Sequence, residues 1–321
     1  DELSSDNSWT PQSALNLDEI PKGDMPGDKI QIGPEHIKKS HVIFPRLLEL
    51  VIPVLKENPY RRAVISLCGG SGVGKSEIAS LLSFYLNQVG LGSYTLSGDN
   101  YCHRIPKYND AERLRIFRYN GIMGLISSGL YSADLKNILK ELQESGKDSD
   151  PELIREYPWL STYQEAGRKG LKDYLGTQHE INFNELVSII YKFKKGESGI
   201  YLRRMGREDT ELWYDLMDFS DKNILLIEWT HGNNKNLQGV DIPILLSSTP
   251  QETLEHRKAR KRDKGVDSSF TNTVLDLEQD LLISQAYKAK LIVSKGGDIL
   301  SYDDYMRIMT QGQNAEVRNV Q

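Results

Sequence analysis

Gly69, four residues, and then Gly74-Lys75-Ser76 set a glycine, a lysine and a hydroxyl at the spacing G-x-x-x-x-G-K-[ST]. Those residue types at that spacing suit the holding of phosphate. Glycines let backbone N–H groups turn inward and meet phosphate oxygens with no Cβ in the way. A helix starting at the loop points its positive end at the same oxygens. Lys75 is then expected to reach the β- and γ-phosphates of a nucleoside triphosphate, and Ser76 to offer its hydroxyl to Mg2+. The nucleotide site is therefore expected over Gly69, Gly70, Ser71, Gly72, Val73, Gly74, Lys75, Ser76 and Glu77. A glycine-rich turn with no ligand is the bland alternative, and the flanking elements bear on the choice.

Three further groups could do chemistry beside such a loop. Asp99 follows the run Ser93-Tyr94-Thr95-Leu96-Ser97, and ligands of open α/β sheets lie at the carboxyl ends of strands. A carboxylate there can take the proton of a hydroxyl that attacks the γ-phosphate, or can cap the next turn. Glu228 ends the apolar run Asn223 to Glu228, and an acid at a strand end serves the Mg2+ side of a phosphate-loop site. His231 follows in the expected substrate crevice, with a structural role equally open. The third group is basic: Arg257, Lys258, Arg260, Lys261, Arg262 and Lys264 crowd a helix after Pro250. Cations stabilise charge spreading during phosphoryl transfer, so this stretch, about 251–267, reads as a lid over the nucleotide. A solvated charged face would look the same.

These groups need elements to position them. Ala63 to Cys68 is apolar and β-branched, as a buried parallel strand would be, and Ile78, Leu81, Leu82 and Tyr85 recur behind the loop at helical spacing. Strand, glycine loop and helix is the order the motif demands. Further strands are expected at Ser93–Ser97, Asn223–Glu228, Val240–Ser247 and Leu291–Val293, with a short one at Ser198–Leu202 before Arg203 and Arg204. Residues 1–28 are polar and read as a loosely held arm. Gly33-Pro34-Glu35 opens a helix, and Leu47 to Leu55 gives an apolar stripe on a second helical stretch. Residues 29–310 then form a single domain, with a polar tail over 311–321. Residues 105–180 are mostly helical and exceed a normal strand-to-strand connection. They read as an insertion that covers the active site, mediates assembly or merely packs. Tyr157, Trp159 and Tyr163 within it suit either core or an interface, which leaves a homo-oligomer open.

Composition narrows the partners. The chain has 321 residues and a formal net charge of −5, which gives no reason to expect nucleic-acid binding. The basic residues concentrate in one helix instead of along a groove. Two cysteines and six scattered histidines offer no zinc spacing, and a reduced, cytoplasmic setting fits. No apolar run reaches the length of a membrane span, so no membrane partner is expected.

Taken together, Gly69 to Ser76, Ser97-Gly98-Asp99 with His103-Arg104, Ile227 to Gly232, and His256 to Gly265 resemble the phosphoribulokinase and uridine kinase group of P-loop kinases. The similarity spans about residues 60–295. It implies a doubly wound parallel sheet flanked by helices, and transfer from ATP, with Mg2+, to a hydroxyl of a small molecule. It implies Asp99 as base, with Asp99, Ser76 and Glu228 on the metal side. Tyr101, His103, Arg104, Arg203, Arg204 and His231 would then face the acceptor. Arg257 and Arg262 would act on the transferring group, and Arg260 on the nucleotide. Trp229 stands where these kinases usually carry glycine, and its bulk is expected to narrow the acceptor pocket. Leu96 to Asn100 with His103 also looks like adenylylsulfate kinase, a weaker resemblance. A regulator that hydrolyses ATP without an acceptor is the alternative of another class.

Overall fold

A computed structural model of the chain describes Trp9 and residues 16–27, 30–249, 251–255 and 268–319. The chain divides into two compact units. One comprises Asp1–Tyr101, Phe183–Ser248 and Leu282–Gln321; the other comprises Cys102–Asn182 and Thr249–Leu281.

The first unit is built on a helix and a sheet. Helix α1 runs unbroken from Pro34 to Glu57. The sequence suggests two helical stretches here, and the single helix contains Pro45 and Pro53, each of which removes a helix hydrogen bond at a cost of about 3 kcal/mol. Ile43, Phe44, Leu47, Val51 and Leu55 are all buried on one face of the helix. At about 1.5–3 kcal/mol per buried side chain, that face outweighs the two prolines. Strand β1 (Ala63–Gly69) is buried along its whole length and feeds the loop before α2 (Lys75–Gln88). Strand β2 (Ser93–Ser97) runs into a 3-10 turn at Gly98–Tyr101. Strands β3 (Gly199–Met205) and β4 (Leu212–Asp218) form a separate antiparallel ribbon, so Arg203 and Arg204 lie within a strand. Strands β5 (Ile224–Glu228), β6 (Ile242–Leu246), β7 (Leu291–Val293) and β8 (Ile299–Leu300) complete the main sheet. Its order is β2-β5-β1-β6-β7-β8, parallel except for the last pair. Strands buried on both faces need continuous apolar runs, which is what β1 and β5 supply.

The expectation of a loosely held arm does not extend to its described residues: Trp9 and Ile20 join the core around α1 and α2, and Asp24 is enclosed by partners. The segment after β7 adds a further element to the first unit. It forms a helix, Tyr302–Asn319, in which Tyr305 and Met309 are buried against Cys68 and Leu245.

The second unit is helical. It contains α3 (Pro106–Ser127), α4 (Ala133–Glu144) and α5 (Leu160–Lys172). Phe117, Leu139 and Leu171 form its core with Val274 and Leu277 from the helix Ser269–Gln285. Tyr163 is fully buried in that core, while Tyr157 and Trp159 pack on it. Arg113 is enclosed between Glu180, at 2.7 Å, and Glu278, at 3.3 Å. Among the described residues no helix is long and apolar enough to cross a membrane.

Trp229, at the end of β5, does not line a pocket as the sequence suggests. It is 1% exposed. Its ring lies against Gly98, where a Cβ would come within 2.2 Å of Trp229 Cγ. The glycine before Asp99 is thus a packing requirement. Gly98→Ala is expected to lower stability by roughly 1–3 kcal/mol, the usual cost of overpacking. Urea unfolding checks this, and Trp229→Phe combined with Gly98→Ala should recover part of the loss.

Candidate nucleotide and acceptor site

Parallel register brings the chemical groups of the first unit together. Glu228 is the register partner of Leu67 on β1 and of Ser97 on β2. The strand end of β5 therefore lies between the strand that leads into the phosphate loop and the strand that leads to Asp99. Glu228 is 6% exposed. Its Oε2 accepts from Ser76 Oγ at 3.4 Å, and its Oε1 accepts from Ser97 Oγ at 3.1 Å.

The loop itself is set for an anion. Gly74 has φ 92° and starts α2 with no side-chain cap. Only glycine takes that backbone without strain, and a Cβ there would lie 2.8 Å from His36 Nε2. His36 is held by its own Nδ1, which accepts the Gly33 N–H at 3.0 Å. Lys75 Nζ donates to Gly70 O at 3.2 Å, folding its side chain back across the loop. Gly72 and Val73 are buried and Ser71 is half-buried, while Glu77 turns inward at 3% exposed. The uncapped start of α2 suits the phosphates of ATP. Ser76 Oγ and the Glu228 carboxylate are hard oxygen donors, the kind Mg2+ takes.

Asp99 is exposed, on the turn directly after β2. Its neighbours in sequence are clamped. Asn100 Oδ1 accepts the Met205 N–H at 3.0 Å, and Asn100 Nδ2 donates to Asp24 Oδ1 at 3.2 Å. Asp24 also accepts from Ser97 N at 2.7 Å, Tyr94 Oη at 3.0 Å and Arg204 Nη1 at 2.9 Å. Burial pushes the Asp24 carboxyl up to about 6 against the pull of Arg204.

The remaining candidates fall in different places. Arg204 is buried, and its guanidinium is taken up by Asp24, by Asp215 at 3.1 Å and by Tyr94 Oη at 2.8 Å. Its contacts are thus those of an internal clamp. Arg203 is buried beside Glu185, with Nη1 at 3.8 Å and, among the described residues, no hydrogen-bond partner on Nε. Tyr101 is fully buried, and burial raises its phenol above the ordinary range. His231 is 7% exposed and stands edge-on to Trp229 at 5.2 Å. His103 and Arg104 belong to the second unit, where His103 Nε2 meets Gln178 O at 2.9 Å and Arg104 Nη1 donates to Tyr174 Oη at 3.1 Å. Arg257, Arg260 and Arg262 lie outside the described residues. Cys68 is buried, and burial pushes its thiol up to about 12, which makes it a neutral core residue. Sequence reasoning missed Asp24, Ser97 and Asn100. Ser97 and Asn100 flank Gly98-Asp99 and were within reach of the strand-end argument. Asp24 carries no local signal.

No family model matches the chain. It is 39% identical over 254 residues to the bifunctional α-galactosidase/sucrose kinase AgaSK of Mediterraneibacter gnavus. That match takes in 79% of this chain but 22% of the relative's length. Among solved structures, a candidate fructose transport system kinase of Silicibacter sp. aligns with 12% identity and a TM-score of 0.43, over 78% of this chain and 93% of that one. D-glycerate 3-kinase of Cryptococcus neoformans aligns with 11% identity and a TM-score of 0.44, over 84% and 99%. A candidate uridine kinase of Bacillus stearothermophilus has 13% identity and a TM-score of 0.34, over 77% and 98%. These structural likenesses are loose, and the fold assignment rests on strand order and the phosphate loop. The kinase resemblance drawn from the motifs agrees with the sequence relative, and adenylylsulfate kinase has no counterpart among these proteins. By its loop and its strand order the chain is an α/β protein with a phosphate-loop motif, and its sequence is similar, over 79% of its length, to part of a larger enzyme that bears sucrose kinase in its name.

Proposed function

We propose that the chain transfers the γ-phosphoryl group of ATP to a hydroxyl of a small sugar, with sucrose the first acceptor to test. One observation carries the reading. The Ser76 and Ser97 hydroxyls converge on the Glu228 carboxylate, between the phosphate loop and the turn that presents Asp99. The sequence relative bears a sucrose kinase in its name, which supports the acceptor class.

Each residue has a task that its position favours. The loop N–H groups and the start of α2 hold the phosphates. Lys75 is half-buried and bound to Gly70 O, and would turn to the β- and γ-phosphates of the nucleotide. Ser76 and Glu228 would hold Mg2+, which when bound neutralises charge on the phosphate oxygens. Asp99, exposed at the strand end, would accept the proton of the attacking hydroxyl. Among the described residues Arg203 has no partner on Nε, which favours it as an acceptor contact over Arg204. Arg257, Arg260 and Arg262 remain proposed lid cations. A cytoplasmic setting accords with Cys68 and Cys102, neither of which forms a disulfide.

ADP production with Mg2+ and a panel of acceptors, sucrose first, tests the reading. Stimulation by a sugar supports it, while a slow rate indifferent to every acceptor favours an ATP-hydrolysing regulator. Lys75→Ala is expected to lower turnover by about a hundredfold or more. Asp99→Asn is expected to lose about 10²–10⁴-fold in transfer while still binding ATP. Gly74→Ala forces a left-handed backbone on alanine, at about 1–2 kcal/mol, and affinity for a non-hydrolysable ATP analogue should fall about tenfold or more. Titration calorimetry reads that loss, and unchanged affinity would remove the loop from nucleotide binding.

A further inference from the structure

We propose that Asp24, carried by the N-terminal segment, is a positioning residue that fixes the Asp99 turn for proton abstraction. The inference rests on Asp99 being the base. Asp24 lies 75 positions before Asp99 in the chain, yet its carboxylate receives donors on both sides of Asp99. Ser97 N at 2.7 Å lies two residues before Asp99, and Asn100 Nδ2 at 3.2 Å lies one residue after it. Both bonds end on the same oxygen, Oδ1. The other oxygen, Oδ2, receives Tyr94 Oη at 3.0 Å and Arg204 Nη1 at 2.9 Å. The carboxylate thus ties strand β2, the turn and the β3 strand to one point.

The arrangement is specific to a turn that must not move. A 3-10 turn of four residues has few hydrogen bonds of its own. Asn100 reinforces the clamp from the opposite end, since its Oδ1 takes the Met205 N–H at 3.0 Å. Trp229 closes the face beneath Gly98, where a Cβ would come within 2.2 Å of its ring. Asp99 itself stays exposed, while Asn100 and Tyr101 beside it are buried. A surface carboxylate on a held backbone is what a base needs, because a misplacement of about 1 Å can cost about a hundredfold in rate. The buried Arg204 holds the Asp24 side chain in turn, and Asp215 at 3.1 Å keeps Arg204 oriented.

Two readouts separate positioning from mere stability. The first is amide hydrogen exchange in the full chain. Asp24→Asn should speed exchange across residues 97–101 by about tenfold or more, with the core of α2 still protected. The second is turnover with sucrose as the probe acceptor. Asp24→Asn should lower kcat by about 10–100-fold with KM for ATP unchanged, the loss expected from a misplaced base. In an Asp99→Asn background the same substitution should cost nothing more, because both act through one group. If Asp24→Asn unfolds the chain, Asp24→Ala with Arg204→Met removes both buried charges together and replaces it in each arm. Unaltered exchange at 97–101, unaltered kcat, or a loss that simply multiplies with that of Asp99→Asn would overturn the positioning role. An active Asp99→Asn overturns the base assignment and the positioning role with it. Loss in Asp99→Asn beside full activity in Asp24→Asn overturns the positioning role alone. The exchange arm uses no acceptor, so unaltered exchange overturns the positioning role even where sucrose is not phosphorylated.

Discussion

Glu228 stands opposite Leu67 on one side and Ser97 on the other, and most of the candidate site follows from that register. Parallel strands cannot slip by one residue without turning every side chain to the wrong face. Here β1 and β5 are buried on both faces, so their register is held by the whole core. The consequence is chemical. The carboxylate at the end of β5 is delivered within reach of a hydroxyl on each neighbouring element, Ser76 at the start of α2 and Ser97 at the end of β2. A buried acid is costly unless hydrogen-bonded, and two hydroxyl donors meet that need while leaving capacity for a cation.

The turn that carries Asp99 is tied to a buried ion pair. Asp24 and Arg204 have side chains 8% and 7% exposed. Such a pair adds little net stability, but losing one partner strands the other charge in the interior, at about 3–5 kcal/mol. Tyr94, Asn100 and Ser97 add neutral donors to the acid, and Asp215 adds a second carboxylate to the cation. The pair therefore buys geometric definition more than stability.

Much of this was legible in the sequence because it is local. The phosphate loop is eight consecutive residues, and the strand before it and the helix behind it announce themselves by period. Asp99 and Glu228 stand out because an acid closing an apolar run is a visible event. Asp24 was illegible for the opposite reason. It sits among Pro, Lys, Gly and Met in a polar segment that also holds Asp18, Glu19 and Asp28, where no pattern singles out one acid, and Arg204 is 180 residues away. The single helix α1 was not legible because Pro45 and Pro53 lie within it, and local propensity there loses to the burial of Phe44 and Leu47. Trp229 was visible as an anomaly but not its direction. Only packing against Gly98, Phe183 and His231 fixes it as core.

The second unit is assembled from two separated stretches, Cys102–Asn182 and Thr249–Leu281. Val274 and Leu277 from the later stretch complete the core around Phe117, Leu139 and Leu171 from the earlier one. During synthesis at roughly 5–20 residues per second, those closing side chains emerge about 5–20 s after the helices they cover. For that interval the apolar stripe of α3, α4 and α5 has no native cover, while most of the central sheet is still being made. Time on the ribosome is then part of this protein's physical problem, and a nascent chain halted between residues 182 and 249 would display an unfinished helical core.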